Sequence, residues 1–268
     1  VSASSTGAIR IETTDDVLHI VLDRPLAKNS LTPDAVREMI AALEAAAIDD
    51  AVRVVSLSSS GPDFCAGADV VASNRGEAPK PRVGNLQRRT ALQAHRLIEV
   101  LTTIQLPVVC TVRGWAAGLG CQLALASDFT VASDTARFWE PFCGRGFTPD
   151  SGATWLLPRM VGMARAKELL LLSREVSGGE AADWGMIYRC VPDAELDEAS
   201  AKLVADLAGR ATIALGLTKH CINESLRAPL IDAMANEAFA LELSSRTADF
   251  REGLASFKDR RPPEYQGR

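Results

Sequence analysis

The chain has 268 residues, 47% of them hydrophobic and 24% charged, and a formal net charge of −5. That length fits one large domain or a domain with a small appendage, and the composition is that of a globular protein with a substantial core. The acidic balance and the lack of a long basic run argue against nucleic-acid binding, and no apolar stretch reaches membrane-spanning length.

The first residues, VSASSTGA, read as neither a signal peptide nor a transit sequence. Six widely spaced cysteines, Cys65, Cys110, Cys121, Cys143, Cys190 and Cys221, contain no C-x-x-C pair and read as reduced thiols of a cytoplasmic protein. His19, His95 and His220 make no ligand cluster, so no metal is expected.

Residues 17–22, VLHIVL, form a predicted strand ended by Asp23-Arg24-Pro25. Thr32 then caps a helix that carries Pro33 at its first position and runs through VREMIAALEAAAIDD. Residues 52–57 give the next buried strand. Strands alternating with helices at this spacing predict an α/β unit with right-handed crossovers. Residues 72–84, rich in Pro, Gly and charge, read either as a flap over a pocket or as a surface loop. From Asn85 a helical periodicity runs on and stops before Pro107.

The organising stretch is residues 111–162. A β-branched run at Val108, Val109 and Val112 leads into Gly114, Gly118 and Gly120, and then into the helical CQLALASD. This turn fits neither the dinucleotide fingerprint, because Leu123 stands where a third glycine is needed, nor a phosphate loop. Two readings stand: a tightly packed strand-to-helix connection, or a helix N-terminus whose free amides hold developing negative charge. The second reading needs a further donor, and FCAGADV at residues 64–70 is the candidate.

FCAGADV, GWAAGLGCQLALASD and FTPDSGATWLLPRMVG, in this order and at this separation, resemble the crotonase superfamily of enoyl-CoA hydratases and isomerases. The wording is closest to the ring-epoxide isomerases of phenylacetate breakdown. The resemblance implies a crotonase fold: an α/β core of repeated ββα type over residues 1–195, followed by a helical trimerisation region over 196–268. It implies a coenzyme A thioester as substrate, with the coenzyme as part of that substrate and no other cofactor. It also implies a homotrimer or a pair of stacked trimers.

The same resemblance makes the Ala68 and Leu119 N–H groups the oxyanion donors. A glycine is more usual at the second position, so the Leu119 side chain has to point away from the thioester. Lys28, Ala66, Asp69 and Val70 fall where family members meet the ligand. Phe257 and Lys258 lie where a residue near the adenine and a lysine near the phosphates are found. Lys28 also fits an ordinary loop lysine, and the C-terminal pair an exposed tail.

Hydratases of the family use two glutamates, and this chain carries Gln122 and Phe142 at those positions. Water addition needs a base for the water and an acid for the α-carbon, so plain hydration is expected to be slow. The nearby Glu140 is not assigned to the pocket by strand alternation alone. Asp150 remains, in a position where some isomerases of the superfamily carry a catalytic aspartate; it also fits a helix N-cap. A single carboxylate is sufficient to move a proton between two carbons of an acyl thioester while the oxyanion hole holds the enolate.

Two alternatives accompany this isomerase reading. Aroyl-CoA dehalogenases of the superfamily resemble the chain in an Asp at position 150, an aromatic residue at 142 and a His at 95. In that case Asp150 attacks as a nucleophile and His95 activates water; His95 also fits a half-buried packing residue. The other alternative is an acyl-CoA-binding homologue without catalysis. Trp139, Phe142 and Phe147 suit either a ring-accepting pocket or the core.

Overall fold

The computed structural model describes residues 7–69 and 82–268. Its main sheet has the order β1-β2-β3-β4-β6-β9, formed by Ile9–Thr14, Val17–Leu22, Val54–Ser59, Val108–Val112, Phe129–Ser133 and Arg189–Val191. The β1–β2 hairpin is antiparallel and every later pair is parallel, as crossover connections require. A smaller sheet joins β5 (Trp115–Ala117), β7 (Arg137–Trp139) and β8 (Glu175–Ser177).

Both faces of the main sheet carry packed side chains, and β4, VVCTV, is accordingly buried at every position but Thr111. Val55, Leu57, Val108, Cys110 and Val112 join the large core. That core also takes in α1 (Pro33–Ala46), α3 (Ala94–Thr103), α4 (Leu119–Ala126) and α5 (Ala153–Leu172). Their neighbours Val17, Val54 and Val109 point the other way and pack on Val204 and Leu207 of α7 (Leu196–Ala208). The chain on either side of residue 195 therefore shares packing.

The structure moves several boundaries. The strand expected at 52–57 runs over Val54–Ser59. The helix expected from Asn85 is divided into α2 (Asn85–Leu92) and α3 by Gln93, at φ −122° and ψ −93°. Thr32 caps α1 as expected, accepting from the Ala35 N–H at 3.2 Å. After the short α6 (Gly178–Asp183), the chain ends in helices: α7, α8 (Thr212–Ser225), α9 (Leu230–Ser244) and α10 (Ala248–Asp259). Most of the proposed flap, residues 72–81, lies outside the described residues, as does Val70.

Among the described residues, no helix is long and apolar enough to cross a membrane. The described cysteines are free thiols.

Candidate active site

Two backbone segments converge at the N-terminus of α4. The first, residues 65–69, is stitched on both sides. Leu31 donates to the Gly67 carbonyl at 2.8 Å, and Asp69 donates to the Leu31 carbonyl at 2.9 Å. In such a bridge the intervening residue turns its own amide to the opposite side, so the Ala68 N–H faces away from Leu31. On the other side Cys65 pairs with β5, donating to Trp115 O and accepting from Ala117 N.

Gly118 then makes the corner. At φ 51° and ψ −123° it occupies backbone space that L-residues avoid, and its N–H is tied to the Trp139 carbonyl at 2.9 Å. Leu119 follows as the first residue of α4, where an N–H has no intrahelical acceptor. Among the described residues, neither the Ala68 nor the Leu119 amide has a backbone acceptor.

The two segments lie in direct contact: a methyl group built on Gly67 would be 2.8 Å from Ala117 O and 3.5 Å from Leu119 N. The Leu119 side chain is buried in the core. Free amides at a helix N-terminus, where the macrodipole adds positive potential, are able to hold developing negative charge.

Lys28 and Asn29, both in left-handed conformation, brace the first segment. The buried Asn29 amide donates to Ser60 O and Asp63 O, and its carbonyl accepts from Arg24 N. The exposed Lys28 ammonium lies 3.5 Å from Asp63, and its carbonyl accepts from Ala66 N. Asp69 is engaged by Arg24 at 3.2 Å, which gives its carboxylate a bracing contact. Ala66 and Ala68 remain exposed at the surface of this segment.

Phe142 is buried against the corner, its ring 3.7 Å from the position of a Gly118 Cβ and edge-on to Phe147. Trp139 is directed elsewhere: its indole donates to Ser173 O and packs with Trp115 and Arg145. Asp150 is exposed at the end of the loop before α5. The cap of α5 is Gly152, with no side-chain capping bond, and the Asp150 carboxylate instead accepts from the Ser151 hydroxyl at 3.1 Å. The capping role open to Asp150 in the sequence is thus not the one it has.

His95, exposed on α3, lines a cavity of about 330 Å³ together with Ser151, Gly152, Trp155 and Arg227. Phe257 and Lys258 are exposed on α10. Among the described residues, no group of three or more His, Cys, Asp or Glu is placed to hold a metal ion.

One partnership escaped sequence reasoning. The Gln122 amide, fully buried on α4, donates to both carboxylate oxygens of Glu140, at 2.9 and 2.8 Å. Glu140 is itself almost wholly buried, and that burial, with Asp150 nearby, lifts its carboxyl to about 8 against the partly offsetting Cys121 and Gln122 contacts. Only the strand-to-loop turn after β7 brings positions 122 and 140 together, so no spacing rule points to the pair.

This architecture is that of the crotonase superfamily. Residues 12–268 match the sequence model of the family described as enoyl-CoA hydratase/isomerase, and the chain belongs to that family. It is 35% identical to the 1,2-epoxyphenylacetyl-CoA isomerase of Escherichia coli (strain K12), over 94% of this chain and 95% of that one. It is 32% identical to the crotonyl-CoA hydratase of Syntrophomonas wolfei, over 96% and 97% of the two chains. The crystal structure of an enoyl-CoA hydratase from Bacillus anthracis superposes with a TM-score of 0.89 at 30% identity, covering 97% of this chain and 100% of that one.

Proposed function

We propose that the protein isomerises an unsaturated acyl-CoA thioester by moving a proton between two carbons of the acyl group. The observation that carries this reading is the pair of free amides at Ala68 and Leu119, with Asp150 exposed and uncommitted to capping. The thioester oxygen accepts from both amides, which lowers the energy of the enolate formed when a proton leaves the acyl chain. Asp150 takes that proton and returns it elsewhere on the enolate. Nothing is oxidised or reduced, so the chemistry calls for no redox cofactor, and two N–H donors supply the polarisation that a metal would otherwise give.

Lys28 and the exposed Phe257–Lys258 pair suit the phosphates and adenine of coenzyme A, the latter offered to a neighbouring subunit. Support for a homotrimer comes from the apolar side chains left exposed on α9 and α10, among them Ile231, Phe239, Leu241 and Leu254.

The Asp150→Asn variant tests the assignment. Asn retains size and hydrogen bonding but is not a base, so isomerase turnover falls roughly 10²-fold or more while stability changes little. A variant with full activity on a panel of acyl-CoA thioesters would overturn the role given to Asp150.

A hydrolytic reading has one specific support, the cavity that places His95 beside Ser151 and Gly152, next to Asp150 in sequence. There Asp150 attacks the acyl group, expels a leaving group and forms an ester that His95-activated water cleaves. Turnover in heavy-oxygen water then labels the Asp150 carboxylate, whereas isomerisation leaves it unlabelled.

A further inference from the structure

Gln122 is fully buried, and its amide is used at one end only. The nitrogen donates to both Glu140 oxygens, while Oε1 is buried and has no donor among the described residues. A buried acceptor without a donor is costly, and a hydrogen-bonding group brought to it relieves that cost. The place of the pair in the fold says which ligand. Gln122 lies one turn along α4 from the Leu119 donor, and Glu140 directly follows Trp139, whose carbonyl anchors Gly118. The charge of Asp150 also acts on Glu140, raising its carboxyl.

We propose that Glu140 is a positioning residue that sets the sense of the Gln122 amide, so that the acyl site meets an acceptor when Glu140 is ionised and a donor when it is protonated. This rests on the acyl-CoA reading above. A carboxylate only accepts, so the amide turns its NH2 toward it and leaves Oε1 for the ligand. A carboxylic acid also donates, and then Oε1 is its better partner and the NH2 is released to the ligand.

The substrate class follows from the amide. An acyl group carrying oxygen near the reacting carbons reads the free end of the amide: an ether, epoxide or carbonyl oxygen only accepts and pairs with the NH2 and not with Oε1, whereas a hydroxyl pairs with either end. A plain hydrocarbon chain leaves the buried amide atom unpaired, and sites of that kind discriminate strongly against the analogue lacking the polar group. The groups that act on the Glu140 proton are the Cys121 thiol, the Gln122 amide and the Asp150 carboxylate. Burial favours the protonated form and raises the carboxyl to about 8.

Binding tests this without relying on turnover. Titration calorimetry with 3-methoxybutyryl-CoA, whose ether oxygen only accepts, and its hydrocarbon isostere 3-methylpentanoyl-CoA is run at about pH 6 and about pH 9.5, either side of the Glu140 titration at about 8. In the wild-type protein the preference for the ether-bearing thioester falls roughly three- to tenfold as pH rises, the range of one hydrogen bond. Glu140→Gln, which does not titrate, shows a preference that does not change with pH. Gln122→Met shows little preference at either pH although Glu140 is still present, which a purely structural role for Glu140 does not explain.

A wild-type preference that ignores pH overturns the proposal, as does a pH-dependent one that survives in either variant. If Glu140→Gln does not fold, wild type and Gln122→Met decide alone. If neither thioester binds at all, the acyl-CoA reading fails and this proposal falls with it. Binding of both without a shift sinks the proposal only.

Discussion

Glu140 shows how a single buried side chain ties the site to the stability of the whole chain. Its carboxyl is raised from 4.5 to about 8, so between those values the unfolded chain has released a proton that the folded protein keeps. The sign follows: the unfolded state binds fewer protons across this window, and stability falls as pH rises through it, levelling off above about 8. Glu140→Gln removes that slope while leaving an amide to meet Gln122. Denaturant midpoints at the two ends of the window should show the variant gaining on the wild type toward high pH, by on the order of 4 kcal/mol. Equal slopes in the two proteins would mean that Glu140 ionises normally. Asp150, one loop away, is exposed, its carboxylate bonded to the Ser151 hydroxyl, and its substitution is expected to tell in turnover and not in stability.

Among the elements, the approach of α4 to residues 65–69 controls the spacing of the two donors. A methyl group at Gly120 would meet the Cys65 carbonyl oxygen at 2.3 Å and the Cys65 Cβ at 2.7 Å. Both atoms belong to packed backbone or a buried side chain, so α4 has to move. Gly120→Ala is therefore expected to lose roughly 1–3 kcal/mol of stability in a denaturant titration and to lower turnover more than thioester affinity. Gly179→Ala is the contrasting change: its methyl meets nothing within 4 Å and its φ is ordinary, so stability holds or rises slightly. The capping box of α6, where Ser177 and Glu180 exchange bonds, is a local device of the same scale and was present in the sequence as Ser-x-x-Glu.

For the whole molecule, the C-terminal helices pose the question of what covers them. Phe239 and Ile231 are 74% and 68% exposed, too much apolar surface for helices that end in water. Light scattering on the wild-type protein should give the mass of three chains or of six. Ile231→Asp with Phe239→Asp should reduce it to one chain, with little effect on the fold because neither side chain is part of the core. An unchanged mass would place the subunit contact elsewhere. Lys219 shows how these helices are held to their own core: its ammonium bonds Asp128, Leu101 O and Leu106 O, tying α8 to the approach of β4.

Much of this was legible in the residues because it is local or periodic. The strands at Val17 and Val108, the Thr32 cap, the glycine corner at 118 and the motifs FCAGADV, GLGCQ and TPDSG depend on neighbours within a few positions. The family followed from those motifs together. What the tertiary structure decided is pairwise and distant. The backbone course puts Glu140 against Gln122, and turns Trp139 toward Ser173. It also frees Asp150 from the cap by placing Gly152 there. Spacing along the chain says which face of an element a residue occupies, but a proton held at about 8 depends on the desolvation and charge that other segments bring to it.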